Sequence, residues 1–156
     1  DEGMPLAYHH HMGTVIETQK DTERLIENTH ESVKLTLDTG HMLFAKGDSK
    51  SILQNYHERI LHVHCKDIRK QVLEKSLKED LSFRGAFLEG AFTVPGDGCI
   101  DYQPLFNVLK NNNYSGWLVV EAEQDPAKAN PLEYAKIGYK YLTDTLKKSE
   151  IEIYKN

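Results

Sequence analysis

The chain has 156 residues, 39% hydrophobic and 28% charged, a composition typical of one folded domain rather than a disordered or fibrous chain. Its 19 basic and 24 acidic side chains give a formal net charge of −5 without a basic stripe, which argues against a nucleic-acid partner. No apolar run approaches the roughly 18–20 residues that span a bilayer, and the start lacks the pattern of a signal peptide. We therefore expect a cytoplasmic protein with no membrane partner.

Four apolar runs have the length of β-strands and alternate with amphipathic helical stretches, a pattern that predicts β-α-β units on a parallel sheet. The predicted strands are 5–11, 33–38, 60–65 and 116–121. The predicted helices cover 18–30, a stretch capped by Asp48 or Ser49, a stretch from an Asp101 cap to Asn111, and the residues from Pro131 onward.

The connection after the third predicted strand, 66–101, is much longer than the about 2–6 residues of an ordinary loop between strand and helix. Connections of this length are often binding loops or lids. We expect one helix within it, over 69–81, followed by a glycine-punctuated stretch, 94–98. Asp97 in that stretch is either a ligand contact or a turn residue.

Four β-α units are half of a (β/α)8 TIM barrel, whose complete form needs around 250 residues. We therefore expect residues 1–156 to form the carboxyl-terminal half of one barrel domain. An open half exposes two edge strands, which calls for a partner, either the missing amino-terminal half or a second copy of the chain. Two alternatives stay open: a self-contained sheet covered by helices, and an origin of His9 to His11 in a purification tag.

Polar side chains recur at the carboxyl ends of the predicted strands, where the sites of parallel α/β proteins form. Asp38, His64 and Glu121 each end a different strand, and His9 is the natural fourth member from the first. Side chains alternate along a strand, so His9 and His11 are expected to point the same way. Carboxylate and imidazole ligands suit Mn²⁺, Co²⁺, Mg²⁺ or Zn²⁺. We interpret His62 as a core histidine that is hydrogen-bonded across the barrel.

The motifs AYHHHMGT, LDTGH, HVHCKD, FTVPGDGCID and VVEAEQDP resemble those of the xylose isomerase-like barrel superfamily and, within it, the inosose dehydratases of myo-inositol catabolism. The resemblance covers about Leu6 to Leu142 and corresponds to the carboxyl-terminal half of that family. It implies a metal-dependent dehydratase that removes water from 2-keto-myo-inositol, a polyol ketone, and forms a trihydroxycyclohexane-dione. An isomerase or epimerase of a keto-sugar on the same scaffold and an inactive half-barrel are the alternatives.

The resemblance also implies roles for individual residues. Asp38, His64 and Glu121 stand at metal-ligand positions, and the fourth ligand, usually glutamate in the superfamily, is His9 or His11 here. The candidates for proton transfer are Glu121, Glu123, Lys66 and His41. The candidates for substrate binding are His11, His41 and Lys66.

Overall fold

The computed structural model describes residues 3–154, so the predicted domain of 1–156 extends two residues beyond them at each end. The strands are β1 (Leu6–His9), β2 (Val33–Asp38), β3 (Ile60–Cys65), β4 (Asp67–Ile68), β5 (Phe92–Thr93) and β6 (Trp117–Val120). The helices are α1 (Gln19–Glu27), α2 (Thr39–Phe44), α3 (Ser49–Tyr56), α4 (Lys70–Lys78), α5 (Phe83–Leu88), α6 (Gln103–Asn111) and α7 (Pro131–Lys148). Strands β1, β2, β3 and β6 form one parallel sheet in that order.

The hydrophobic core lies between this sheet and the helices. Leu35 and Leu37 of β2, with Val63 and Cys65 of β3, project from one face of the sheet and are almost fully buried. They pack against apolar residues of the helices, among them Ile26, Ile52, Leu53, Leu105, Phe106, Leu109, Leu142 and Leu146. Because side chains alternate along a strand, the opposite face carries the polar residues of β2 and β3.

Side-chain caps fix where several helices begin. Asp48 accepts the backbone N–H of Lys50 at the start of α3, so Asp48 rather than Ser49 is the cap. Asn130 caps α7, which begins at Pro131 as predicted. The prediction for α6 needs a correction: Tyr102 occupies the cap position, although the Asp101 carboxylate accepts the N–H of Gln103.

The predicted boundaries of β2 and β3 are confirmed, whereas the outer strands and the first helix are shorter than predicted. β1 ends at His9 rather than at residue 11, and β6 covers only 117–120 of the predicted 116–121. Both are edge strands with a neighbour on one side, so fewer ladder hydrogen bonds extend them. Helix α1 spans 19–27 of the predicted 18–30, because Thr18 is its cap and Asn28 ends it.

The long connection 66–101 forms a small layer of its own. β4 pairs with β5 in antiparallel orientation, and between them lie two helices, α4 and α5, instead of the single predicted helix 69–81. This layer has a separate apolar cluster that includes Ile68, Ala86 and Phe92. The layer therefore has enough buried apolar surface to hold a fixed position beside the sheet.

The carboxyl ends of the four parallel strands meet at one edge of the sheet, and β1 and β6 are its two open sides. The long connection and helix α2 both begin at that edge, so they surround whatever the strand ends present. Among residues 3–154, no helix is long and apolar enough to cross a membrane.

Candidate functional site

Four potential metal ligands meet at the carboxyl edge of the sheet, one from each parallel strand. His9 ends β1, Asp38 ends β2, His64 lies near the end of β3, and Glu121 directly follows β6. Asp38 and His64 are register partners on adjacent strands, which places their side chains on the same face. One ligand atom of each residue lies within 4.8 Å of the others. We call these four residues the strand-end group.

The atoms of the strand-end group are arranged as ligands around a common point. Asp38 Oδ2 lies 3.4 Å from His9 Nε2 and 3.7 Å from His64 Nδ1. His64 Nδ1 is only 2.8 Å from Glu121 Oε2, yet the two atoms are not aligned for a hydrogen bond, and neither atom is hydrogen-bonded to another described residue. Two imidazoles and two carboxylates suit a divalent ion. The residues present therefore fit a metal centre.

The buried carboxylate of Asp38 sets the electrostatics of this group. Burial alone raises the pKa of Asp38, but the nearby imidazoles of His64 and His9 and the charge of Lys66 outweigh burial and hold that pKa well below its ordinary value. In return, Asp38 and Glu121 raise the pKa of His64 to about 9. A metal ligand must be a neutral imidazole, so an incoming cation displaces this proton.

A second group of ligand-type residues adjoins the first and consists of His11, His41 and Glu123, again with atoms within 4.8 Å. The rings of His11 and His41 contact each other, with centroids 3.7 Å apart and planes tilted by 40°. Burial lowers the pKa of His41 to about 2, so His41 is a neutral hydrogen-bond acceptor. Phe83 of α5 and Phe92 of β5 flank the His41 ring, which places the long connection against the site.

Lys66 joins the two groups. Its fully buried ammonium donates to His41 Nε2 and to Glu123 Oε2, both at 2.8 Å. The same nitrogen lies 3.2 Å from Asp38 Oδ2 and 3.4 Å from Glu121 Oε2. Burial alone lowers the pKa of Lys66, but the charges of these carboxylates outweigh it and raise the pKa above the ordinary value.

The structure brings together every residue that the sequence analysis proposed for catalysis, substrate binding or metal binding, and it separates the two candidates for fourth ligand. His9 belongs to the strand-end group, whereas His11 belongs to the second group. Both rings face the site, with centroids 5.6 Å apart, as alternation along the strand predicts, although β1 itself ends at His9.

Two other histidines differ from expectation. His62 belongs to neither group, and no side-chain hydrogen bond links it to another residue in the described part of the chain, so the predicted bond across the barrel is not found. Sequence reasoning missed His10. Its buried ring accepts the backbone N–H of Asp38 at 3.1 Å, and burial lowers its pKa to about 4, which keeps it a neutral acceptor. His10 thus fixes the backbone of a ligand.

Asp97 is part of the scaffold of the long connection. Its carboxylate accepts hydrogen bonds from Arg69 Nη2 and Thr93 Oγ1, both at 2.6 Å. Arg69 also donates to the carbonyl of Gly90 at 2.7 Å. The turn interpretation of Asp97 therefore accounts for its contacts.

The profile of a family described as the xylose isomerase-like TIM barrel matches residues 1–145. The chain belongs to this xylose isomerase-like family. Its predicted fold class is thereby confirmed, which favours a partial barrel over a self-contained sheet covered by helices. The tag interpretation of His9 to His11 is also wrong, because these residues lie inside the family match and in or beside the site.

Comparison with individual curated proteins gives a narrower likeness than the family profile does. The chain is 53% identical over 145 residues to the inosose dehydratase of Clostridium beijerinckii and 50% identical over 145 residues to that of Lactiplantibacillus plantarum. Both matches cover 92% of this chain but only 49% and 48% of the relatives. The chain spans about half the length of the curated relatives it matches.

The fold is also that of a solved structure, the IolI protein with a bound zinc atom. The two superpose with a TM-score of 0.68 at 21% identity, over 94% of this chain and 50% of that protein. At this identity the likeness shows the fold alone. It agrees with a partial xylose isomerase-like barrel, since half of the neighbour has no counterpart in this chain.

Proposed function

We propose that this chain is the metal-binding half of a dehydratase that removes water from 2-keto-myo-inositol, a polyol ketone, to give a trihydroxycyclohexane-dione. The observation that carries the proposal is the strand-end group with a buried ammonium beside it. The names of the curated relatives, at about 50% identity, support the reaction. We propose a cytoplasmic location on the same grounds.

The proposal includes the domain organisation. Residues 1–156 form the carboxyl-terminal half of a single barrel, and the partner is the amino-terminal half, with homo-oligomers of the complete barrel as a further level of assembly. Two features support it: the open edges at β1 and β6, and the half-length match to the relatives. The absent half contributes further substrate contacts.

The metal ligands are His9, Asp38, His64 and Glu121. Two imidazoles favour Mn²⁺, Co²⁺ or Zn²⁺ over Mg²⁺, and the zinc of the IolI protein supports an ion of this class. When bound, such an ion supplies a Lewis acid for the ketone oxygen on which negative charge develops. His10 and the backbone of β2 hold Asp38 in place for this task.

The reaction removes a proton from the carbon next to the ketone, and the hydroxyl of the following carbon leaves with a proton as water. Because Glu121 binds the metal ion in this scheme, we assign the proton transfers mainly to the groups around Lys66. Glu123 is the proposed base, because it is the carboxylate nearest to Lys66 and outside the strand-end group. Lys66, His41 and His11 bind substrate oxygens, and Lys66 returns the proton to the leaving hydroxyl.

The decisive experiment incubates the chain, combined with the amino-terminal half of a relative and Mn²⁺, with inosose and in parallel with several ketoses. We expect absorbance of a dione product from inosose alone. Glu123→Gln should lower the rate by about 10²–10⁴-fold, the usual contribution of general acid–base catalysis. Glu133→Gln, an exposed change on α7, is the matched control. Formation of ketose epimers without a dione would identify an epimerase. If neither inosose nor the ketoses give a product, the chain is an inactive half-barrel.

A further inference from the structure

The second group contains the donors of a second metal site. His11 and His41 offer imidazole nitrogens and Glu123 offers a carboxylate, all within 4.8 Å. Two imidazoles and one carboxylate are a common ligand set for zinc in proteins. Because this group directly adjoins the strand-end group, donor chemistry alone would allow two ions side by side, as in enzymes with paired metals.

The ammonium of Lys66 already binds two of the three members of that second group. It takes the lone pairs of His41 Nε2 and Glu123 Oε2, each at 2.8 Å, which are the atoms that a second ion would need. An ammonium has three hydrogen-bond donors and no acceptor, so it binds these two lone pairs in the place of a metal ion. The same nitrogen also lies 3.2 Å from Asp38 Oδ2 in the strand-end group.

Contacts at the backbone carbonyl and along the side chain hold Lys66 in this position. Thr39 Oγ1 donates to the Lys66 carbonyl at 2.7 Å, and the Tyr102 hydroxyl donates to the same oxygen at 3.0 Å. Along the stem, a Cβ on Gly40 would come within 2.7 Å of Lys66 Cγ, so only glycine leaves room for it. The backbone and the stem of Lys66 are therefore both held by neighbouring residues.

Charge balance favours one ammonium and one ion. Asp38, Glu121 and Glu123 carry three negative charges, which Lys66 and a single divalent ion neutralise. A second divalent ion beside Lys66 would leave two surplus positive charges around side chains that are buried or half-buried, and burying unbalanced charge is costly.

We propose that Lys66 is a fixed internal cation that keeps this a one-metal site by holding the second metal position. The inference rests on the strand-end metal site of the proposed function, but not on the reaction or its substrate. Its prediction concerns metal stoichiometry: one divalent ion per chain while Lys66 is present, and two when an apolar side chain of similar length replaces it.

The test titrates the metal-free chain with Mn²⁺, counts bound ions by calorimetry and elemental analysis, and examines the ions by electron paramagnetic resonance. The wild-type chain should bind one ion. Lys66→Met should bind two, with the spectral broadening of an adjacent Mn²⁺ pair, and Lys66→Met combined with Glu123→Gln should return to one. Lys70→Met, which removes an exposed lysine of α4, is the matched control and should bind one.

The outcomes separate this inference from the proposed function. A wild-type chain that binds two ions, or a folded Lys66→Met chain that binds one, overturns the role of Lys66 and leaves the dehydratase proposal standing. A wild-type chain that binds no ion overturns both. If Lys66→Met fails to fold by circular dichroism, the wild-type count still decides, because the inference requires a value of one.

Discussion

Asp38 has two separate tasks, one for each carboxylate oxygen. Oδ1 accepts the N–H of His41 at 2.8 Å and so caps α2, while Oδ2 faces His9, His64 and Lys66. The cap needs only an oxygen acceptor, which asparagine also offers. The metal site, in contrast, needs the charge. A substitution that keeps the shape and removes the charge therefore distinguishes the two tasks.

We predict that Asp38→Asn folds but loses most of its affinity for divalent ions, by at least about 10–100-fold, the cost of disturbing even an indirect contact in a metal site. A ligand at 100 times its Kd stabilises a protein by about 2.7 kcal/mol, so Mn²⁺ should raise the Tm of the wild type and not that of the variant. Thermal unfolding with and without Mn²⁺ measures this.

Asp101→Asn is the control for that comparison, because Asp101 also accepts a backbone N–H at the start of a helix but lies far along the chain from the ligands. It should keep the full response to Mn²⁺. An equal response in Asp38→Asn would remove Asp38 from the metal site.

At the level of single residues, strand-end position was a sufficient signal for Asp38, His64 and Glu121, since parallel strands bring their carboxyl ends together whatever the loops do. The choice between His9 and His11 depends on which imidazole reaches Asp38, and alternation cannot decide it because both side chains face the site. His10 could not be found by pattern. Its role is to accept one backbone N–H from the neighbouring strand, which only the folded sheet defines.

Among the elements, those with their own apolar pattern were predictable. β2 and β3 are six residues long and rich in apolar side chains, and their bounds agree with the predicted ones to the residue. α5 and the two-residue strands β4 and β5 have too few residues to show a period, and their stability comes from packing around Ala86 and Phe92. The six-residue α2 begins inside the LDTGH motif, where its cap is also a proposed ligand.

Helix α7 packs on β6 through Gly138, and this contact yields a prediction at the element scale. A Cβ there would lie 2.5 Å from Val120 Cγ1 and 3.1 Å from Val94 Cβ, both on stiff β-branched side chains. Gly138→Ala should therefore destabilise the chain by about 1–3 kcal/mol, the usual cost of overpacking, although alanine is the better helix former. Urea unfolding measures the difference.

Gly85 in α5 is the matched helical control, because a Cβ there meets nothing closer than 3.4 Å. Gly85→Ala should leave stability unchanged or raise it by up to about 1 kcal/mol. Equal effects of the two substitutions would mean that α7 does not rest on β6 through Gly138.

At the scale of the whole molecule, the sheet has one face covered by helices and one face open. Thr36, His62 and Trp117 are in register on β2, β3 and β6 and form a row across that face, two residues before Asp38 and His64 along their strands. Trp117 lies at the end of this row, on the edge strand β6, and is 64% exposed. In a closed barrel this face is the interior, which side chains fill in layers. Sequence alone predicted the half-barrel but could not show which residues face its open side.

Trp117 is the chain's only tryptophan, so its fluorescence reports directly on the proposed completion of the barrel. When the chain is mixed with the amino-terminal half of a relative, we expect a one-to-one complex by light scattering and a shift of the Trp117 emission to shorter wavelength, because water leaves the open face. A parallel sample with Trp117→Phe supplies the background of the added half. A complex whose Trp117 emission stays at the wavelength of an exposed indole would place the second half elsewhere on the chain, and the sheet would not be half of a barrel interior.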